Sequence, residues 1–145
     1  MDKAVAVYSG GMDSTAMVYM LADLVGELHL VSFDYGQKHR KELKNAARIA
    51  GLLESRESGA YIRHDIVNLR SITSLLEGSA LTDDSVDVPD GHYEWDTARK
   101  TVVPNRNMMM LSVATCIAVA RGCNVVYTGV HAGDHFVYPD RKSVV

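Results

Sequence analysis

The segment Ala4-Val5-Ala6-Val7-Tyr8-Ser9-Gly10-Gly11-Met12-Asp13-Ser14 decides the fold of this chain. Its first five residues form a wholly apolar run, which predicts a short strand buried on both faces, as in a parallel sheet. The two glycines predict a tight turn. From Ser14 to about Val25 apolar residues recur at helical spacing, and Gly26 marks the predicted end of this helix. Its core-facing residues are expected to be Ala16, Met17, Met20, Leu21 and Leu24.

The same alternation of strand and helix continues along the chain. The pattern predicts a strand at 28–33, a helix at 38–50 that ends at Gly51, a strand at 60–67, a short helix near 72–76, a helix at 108–120 and a strand at 124–129. The inward stripe of the helix at 38–50 is expected to be Leu43, Ala46, Ala47 and Ala50. This order is typical of an α/β fold with a parallel, doubly wound sheet. We expect residues 1–145 to form one domain.

Composition excludes several classes of protein. The chain has 145 residues, of which 47% are apolar and 23% charged, as in a globular domain with a hydrophobic core. No apolar run is long enough to span a membrane and no secretory signal is seen, so we expect a cytoplasmic protein. The net charge of −3 gives no general attraction to nucleic acid. Cys116 and Cys123 are too few for a metal site, and buried free thiols are favoured over a redox pair.

The turn after the first strand carries the clearest chemistry. Glycines let the backbone approach a ligand closely, and the following helix offers unpaired amides and the positive end of its dipole. Ser9, Ser14 and Thr15 add hydroxyl donors. This combination predicts a receptacle for a phosphate chain. A Walker loop is excluded because the turn contains no Lys, and a dinucleotide-binding fingerprint is excluded because the second glycine spacing of G-x-G-x-x-G is absent. Capping of the helix by Ser or Asp explains one residue of the set but not all of them.

Three further polar strings follow predicted strands or open the long helix. They are Phe33-Asp34-Tyr35-Gly36-Gln37-Lys38-His39, Val103-Pro104-Asn105-Arg106-Asn107, and Thr128-Gly129-Val130 followed by Asp134 and Tyr138-Pro139-Asp140. Arg106 lies at a predicted helix start, where the helix dipole disfavours a cation, so a plain surface role is a weak explanation for it. A bidentate contact with a phosphate or carboxylate is favoured instead. Asn107 fits a helix cap and a ligand contact about equally well.

The remaining candidates contain aromatic, amide and basic side chains. Tyr35 and Gln37 suit stacking on a purine-like base and hydrogen bonding to it, and Asp134 suits a guanine-like amino edge. His39 is favoured as a structural histidine, with a binding role as the alternative. The basic residues Arg40, Lys44 and Arg48 lie four apart and favour a solvated helix face over phosphate attraction. The Met108–Met110 run is predicted to lie in the core rather than in a site.

The Ser9–Ser14 string resembles the S-G-G-x-D-S loop of the PP-loop ATP pyrophosphatases. Taken in register, the four strings resemble the 7-cyano-7-deazaguanine synthases of that superfamily, over residues 4–140. The resemblance implies an adenine nucleotide α-hydrolase-like fold, ATP and Mg²⁺, and cleavage between the α- and β-phosphates. It further implies that 7-carboxy-7-deazaguanine is adenylated and that ammonia displaces AMP to give an amide. A second ATP would then convert the amide to the nitrile, in queuosine biosynthesis.

The resemblance also implies which residues act. The catalytic residues would be Asp13, Arg106 and Asp134. ATP would be bound by Tyr8, Ser9, Gly10, Gly11, Met12, Asp13, Ser14, Thr15 and Gly129. The substrate would be bound by Tyr35, Gln37, His39, Arg106, Asn107 and Asp134. The expected partners are these small molecules, with neither a membrane nor nucleic acid bound directly.

The likeness ends near the last string. The family carries a four-cysteine zinc site in its C-terminal part and reads Y-P-D-C-R, whereas this chain reads Tyr138-Pro139-Asp140-Arg141-Lys142 and stops at Val145. We therefore expect no zinc site in these 145 residues. Three functions stay open. The chain is an enzyme of this family, as a homodimer or completed by a C-terminal chain; a non-catalytic nucleotide-binding remnant; or another PP-loop enzyme such as a tRNA thiolase, which would need catalytic cysteines and a basic surface.

Overall fold

The fold is a parallel sheet with helices on both faces. The computed structural model describes residues 2–36, 40–57, 59–75 and 106–130. In chain order the elements are β1 (Lys3–Val7), α1 (Met12–Ala22), β2 (Glu27–Asp34), α2 (Lys41–Glu54), β3 (Tyr61–Asn68), α3 (Arg70–Thr73), α4 (Arg106–Arg121) and β4 (Val125–Thr128). All four predicted strands are present, close to their predicted bounds.

The strands lie in the order β3-β2-β1-β4, and every neighbouring pair is parallel. Ala4 of β1 stands opposite Leu28 of β2 on one side and Val125 of β4 on the other. The chain thus builds outward from β1 to β3 and then places β4 on the far side of β1. Such a reversal is where α/β sheets bind ligands, beyond the carboxyl ends of the strands. The predicted parallel, doubly wound α/β sheet is confirmed.

Alternate side chains of β1 enter two separate cores, which explains why the strand is apolar at nearly every position. Ala4 and Ala6 pack beneath α1 and α2 together with Leu28 and Leu30 of β2. Val5 points the other way and packs beneath α4. All five side chains are fully buried. Burial on both faces is typical of a strand inside a parallel sheet.

Both N-terminal helices depart from the sequence prediction in the face they bury. Helix α1 buries Ser14, Val18, Leu21 and Ala22, whereas the predicted core residues Ala16, Met20 and Leu24 are exposed. Because this helix is apolar almost all round, its pattern does not select a face. It also ends at Ala22, and Gly26 lies in the following turn, where its N–H donates to the carbonyl of Asp2.

Helix α2 continues through Gly51, so the prediction that it ends there is wrong. A glycine inside a helix costs only about 1 kcal/mol relative to alanine. Two residues later Leu53 is 2% exposed, so its burial outweighs that cost. Within the predicted inward stripe Ala46 and Ala50 are buried, Leu43 is half-buried and Ala47 is exposed.

Helix α4 packs on the sheet through every fourth residue. The buried residues are Met110, Ala114 and Ala118. Met108 is therefore exposed, and the prediction of a core position holds for Met110 but is wrong for Met108. Cys116 also lies outside this buried row of residues and is exposed, so the expectation of a buried thiol is wrong there. Cys123 is half-buried, and burial raises the pKa of its thiol. Within the described ranges no helix combines the length and the apolar character needed to cross a membrane.

Candidate functional site

The turn after β1 lies where the strand order reverses, and two glycines make its geometry feasible. Gly10 has a φ of 84°, a left-handed conformation that side-chain-bearing residues rarely adopt. A Cβ on Gly10 would lie 2.2 Å from the carbonyl oxygen of Glu42 in α2. Gly129, directly after β4, lies so close to α1 that a Cβ there would be 3.3 Å from Cα of Ser14. The structure thus brings the predicted site residues Gly10, Ser14 and Gly129 into one region.

The two serines of the turn form a closed set of hydrogen bonds. The N–H of Gly11 donates to Oγ of Ser9 over 3.2 Å, and Oγ of Ser9 and Oγ of Ser14 are 3.0 Å apart. Oγ of Ser14 donates to the carbonyl of Gly11 over 3.3 Å. Ser9 is exposed and Ser14 is buried. The loop is therefore shaped around its own hydroxyl groups, with Ser9 on the solvent side.

The first turn of α1 has no side-chain cap. Its N-cap residue is Gly11, with an extended backbone (φ −75°, ψ 172°) and no side chain to accept from the amides of the first turn, while the N–H of Gly11 itself donates to Oγ of Ser9. The interpretation of this motif as Ser or Asp capping is therefore wrong. Asp13 and Met12 are both exposed in the first turn. The open amides and the dipole leave this end of the helix ready for an anion.

Tyr8 and Thr15 support the loop from beneath. The Tyr8 ring is completely buried, and its hydroxyl is 3.0 Å from Oγ1 of Thr15. Burial raises the pKa of the Tyr8 phenol, although the hydrogen bond with Thr15 opposes this. The phenol therefore stays protonated, and it ties the end of β1 to Thr15, the fourth residue of α1. Both residues were predicted to bind ATP, and the structure places them at the base of the loop.

A second support, not foreseen from the sequence, holds the peptide after Tyr8. Oγ of Ser32 in β2 donates to the carbonyl of Tyr8 over 2.5 Å and lies 2.8 Å from Nε2 of His64 in β3. Ser32 is fully buried, and burial lowers the pKa of His64. The strand register brings these residues together, because Leu30, two residues before Ser32, pairs with His64. A lone buried Ser and a lone His, 32 positions apart in the sequence, give no pattern that predicts this contact.

Beside the loop lies a cleft between the ends of β1 and β2 and the helices α2 and α4. It is lined by Val7, Tyr8, Ser9, Phe33, Tyr35, Glu42, Leu43 and Met110. Arg106, at the start of α4, places its guanidinium 5.5 Å from the centre of the Tyr35 ring, and its Nη1 donates to the Tyr35 hydroxyl over 3.3 Å. The structure therefore joins two predicted substrate-binding residues. Phe33, Leu43 and Met110 as cleft walls were missed by the sequence patterns.

The segment that carries Tyr35 is held by Arg70 and Thr73 of α3, which the sequence patterns did not indicate, together with Asp34 and Gly36 of the quoted string. Nε and Nη2 of Arg70 donate to Oδ2 of Asp34 over 3.0 and 2.9 Å, and the N–H of Gly36 donates to Oδ1. Burial raises the pKa of the Asp34 carboxyl, but the Arg70 and Gly36 donors outweigh it, so the net pKa is lowered. Oγ1 of Thr73 donates to the carbonyl of Tyr35 over 2.8 Å. The short helix α3 thus fixes the position of Tyr35.

Asn107 is the second residue of α4, inside the helix rather than at its cap. Its Nδ2 is buried, and among the described residues it has no hydrogen-bond partner. A buried donor without a partner costs about 1–3 kcal/mol, which a ligand acceptor would recover. The predicted substrate residues Gln37, His39 and Asp134 lie outside the described residues. In the ranges that the structure describes, no three side chains of His, Cys, Asp or Glu meet to hold a metal ion.

Comparisons with known proteins converge on one family. The family model described as "Queuosine biosynthesis protein QueC" matches residues 3–145. A 7-cyano-7-deazaguanine synthase of Ruegeria pomeroyi is 52% identical over 95% of this chain and 56% of its own length. Proteins of the same name from Paracoccus denitrificans and Alteromonas mediterranea are 49% and 46% identical, over 95% and 96% of this chain and 56% and 60% of their own lengths. This chain thus spans rather more than half the length of these relatives.

Proposed function

Because the chain belongs to the QueC family of queuosine biosynthesis proteins, we propose that it binds ATP at the loop after β1. The reaction that it serves is the conversion of 7-carboxy-7-deazaguanine and ammonia to 7-cyano-7-deazaguanine. The observation that carries the proposal is the uncapped start of α1 beside Gly10 and Gly129, at the point where the strand order reverses. Its open amides and hydroxyls suit an anion, and its glycines leave room for one.

The loop's share of the chemistry is to hold the departing pyrophosphate. Oxygens of the β- and γ-phosphates would take over the donors that now bond within the loop, namely the N–H of Gly11 and the hydroxyls of Ser9 and Ser14. These donors are fixed before the reaction, so they stabilise the developing charge without reorganisation. Tyr8 and Thr15 act from below, by keeping the end of β1 and the start of α1 in register.

The cleft beside the loop is proposed to receive the deazapurine. Tyr35 offers a ring for stacking, and Phe33, Leu43 and Met110 exclude water around it. Arg106 and the buried amide of Asn107 would hold the substrate carboxylate or the α-phosphate between them. The predicted roles of Gln37, His39 and Asp134 stay predictions.

Mg²⁺ fits the donors at the loop, whereas zinc does not. Mg²⁺ is commonly held by one or two carboxylates together with substrate phosphates and water. Asp13 supplies one exposed carboxylate in the first turn of α1, and it would share the ion with the phosphates of ATP. A structural zinc ion needs four ligands, and no such group assembles in the described ranges.

The chemistry follows from the leaving groups. Hydroxide leaves a carboxyl carbon poorly, whereas AMP leaves readily, so transfer of AMP to the carboxylate prepares it for attack by ammonia. Transfer of a second AMP to the amide oxygen prepares the loss of AMP that leaves the nitrile. The chain's own residues position the reactants and stabilise charge, which is the usual enzymatic contribution to phosphoryl chemistry. A cytoplasmic location, a homodimer and a complementing C-terminal chain stay predictions.

A product assay tests the proposal. The chain is incubated with Mg²⁺, ATP, ammonia and 7-carboxy-7-deazaguanine, and mass spectrometry follows the nitrile while chromatography follows AMP. We expect substrate-dependent AMP and the nitrile. Folded chain that binds ATP but forms neither product would support the alternative of a non-catalytic nucleotide-binding chain. Folded chain that does not bind ATP would refute the proposal altogether.

A further inference from the structure

Helix α2 lies directly against the loop after β1 at Gly10. The contact is close: a Cβ on Gly10 would lie 2.2 Å from the Glu42 carbonyl oxygen and 2.9 Å from the backbone nitrogen of Ala46. Gly10 is buried, whereas the neighbouring Ser9 is exposed. The backbone of α2 therefore forms the wall against which this part of the loop is placed.

From that wall one side chain reaches the loop. Nδ2 of Asn45 donates to the carbonyl oxygen of Gly10 over 2.8 Å, across 35 positions of sequence. Its Oδ1 accepts from Nη2 of Arg48 over 3.0 Å. A guanidinium can only donate and a carbonyl can only accept, so these two partners fix which end of the amide faces the loop. An Asp, which only accepts, or a Leu, which does neither, would not satisfy both partners.

Holding the Gly10 carbonyl also sets the direction of the Gly11 amide. The described peptides are all trans, and in a trans peptide the C=O and the following N–H point in opposite directions. With the carbonyl turned toward Asn45, the N–H of Gly11 turns toward the inside of the loop, where it meets Oγ of Ser9. Two successive glycines otherwise leave this peptide free to rotate, because no Cβ resists the change. The rotated peptide would present a carbonyl oxygen to the phosphates and would repel them.

We propose that Asn45 is a positioning residue, which keeps the Gly10–Gly11 peptide in the orientation that binds phosphate. Arg48 assists by orienting the Asn45 amide. This inference rests on the proposed function, since it takes the loop to be the site of the ATP phosphates. It goes beyond that function in naming a residue that would act through the Gly10 carbonyl.

The test measures binding of Mg·ATP, of Mg·pyrophosphate and of adenosine by calorimetry, with wild-type chain and Asn45→Leu. Leu has nearly the shape of Asn and adds no charge. We expect Asn45→Leu to weaken ATP and pyrophosphate about tenfold or more, as for the loss of one well-placed hydrogen bond. Adenosine should bind as before. Asn45→Gln keeps the donor on a longer stem and should recover part of the loss. Asn124→Leu, in an exposed turn before β4, is the matched control and should change nothing.

Asn45→Asp covers the case in which Asn45→Leu does not fold. The Asp side chain keeps the shape of Asn but sets an acceptor against the Gly10 carbonyl. The loss of pyrophosphate affinity should persist in 0.5 M salt, which is on the order of the concentration at which an added surface charge is screened. Unchanged pyrophosphate binding by a folded Asn45 variant would refute the inference while the proposed function stands. An equal loss of adenosine and pyrophosphate binding would also refute it, because it would indicate a general structural role. Failure of the wild-type chain to bind ATP would refute the proposed function itself.

Discussion

The two ends of the sheet both carry polar side chains, but they use them differently. Near the amino end of β1 and β2, charged side chains and His29 form one connected network. Lys3 pairs with Glu27 at 2.8 Å, Glu27 accepts from His29, and Arg121 of α4 bonds both Nδ1 of His29 and Oδ2 of Asp65. Since Arg121 can only donate, Nδ1 of His29 accepts, and the ring proton lies on Nε2, where it faces Glu27. The Glu27 partner raises the pKa of Lys3, and Lys3 lowers the pKa of Glu27.

At the carboxyl end the donors of the loop after β1 are neutral, and they bond within that loop. The start of α1 lacks a side-chain cap, and the buried Nδ2 of Asn107 has no acceptor among the described residues. A fully paired network stabilises a structure, whereas open donors at the end of a sheet leave binding capacity. We therefore expect the amino end to contribute to stability and the carboxyl end to ligand binding. Substitutions at the two ends should separate these properties.

The largest effect is expected at Gly10. Gly10→Ala combines a left-handed φ with a Cβ only 2.2 Å from a backbone oxygen, so stability should fall by about 3 kcal/mol and ATP binding should be lost. Gly122→Ala is the matched control, because Gly122 also has a positive φ of 66° but open space around it. It should cost about 1 kcal/mol and leave ATP binding intact. Urea unfolding and calorimetry measure both quantities. Equal effects of the two substitutions would contradict the account.

The next effect tests the amino end. Arg121→Met removes the donor shared by His29 and Asp65, and we expect the free energy of unfolding to fall by about 2 kcal/mol with ATP affinity unchanged. Arg56→Met breaks an ion pair with Asp23 that is exposed on both sides, and it should cost less than about 1 kcal/mol. Loss of ATP affinity in a folded Arg121→Met chain would mean that the two ends are not separable.

A smaller effect is expected at the cleft. Arg106→Lys keeps the positive charge but loses the planar fork above the Tyr35 ring. Affinity for ATP or for 7-carboxy-7-deazaguanine should fall about tenfold, while stability changes little. Arg63→Lys, on an exposed position of β3, is the control and should have no effect on either affinity. Binding that survives Arg106→Lys unchanged would remove Arg106 from the site.

The smallest effect concerns pH. Burial lowers the pKa of His64 below 6.5, so the unfolded chain takes up this proton first as the pH falls. The stability due to neutral His64 is fully present above about pH 6.5 and declines below it, until the folded pKa is reached, with a slope of at most about 1.4 kcal/mol per pH unit. His64→Gln should remove this component. Chemical denaturation of both chains between about pH 7.5 and pH 5 measures it, and identical pH profiles would exclude the effect.

Sequence patterns predict the backbone here better than the contacts. The run Ala4–Tyr8 is apolar on both faces, and this already requires a strand inside a parallel sheet; the turn at Ser9–Ser14 then fixes the edge at which ligands gather. The face of α1 could not be chosen, because that helix is apolar almost all round. Asn45, Ser32 and His64 could not be connected to the loop either. Asn45 and Ser32 bond backbone carbonyls that are distant in sequence, and His64 bonds Ser32. Only the strand register and the packing of α2 bring these groups together.

The most direct test of the comparison is an amide map of pyrophosphate binding. Mg·pyrophosphate is titrated into the isotopically labelled chain, and the ¹H–¹⁵N resonances of both ends of the sheet are followed. We expect saturable shifts at Gly10, Gly11, the first turn of α1 and Gly129, and none at Lys3, Glu27 or Arg121. Shifts at the amino end, or a folded chain whose loop resonances do not move, would contradict it.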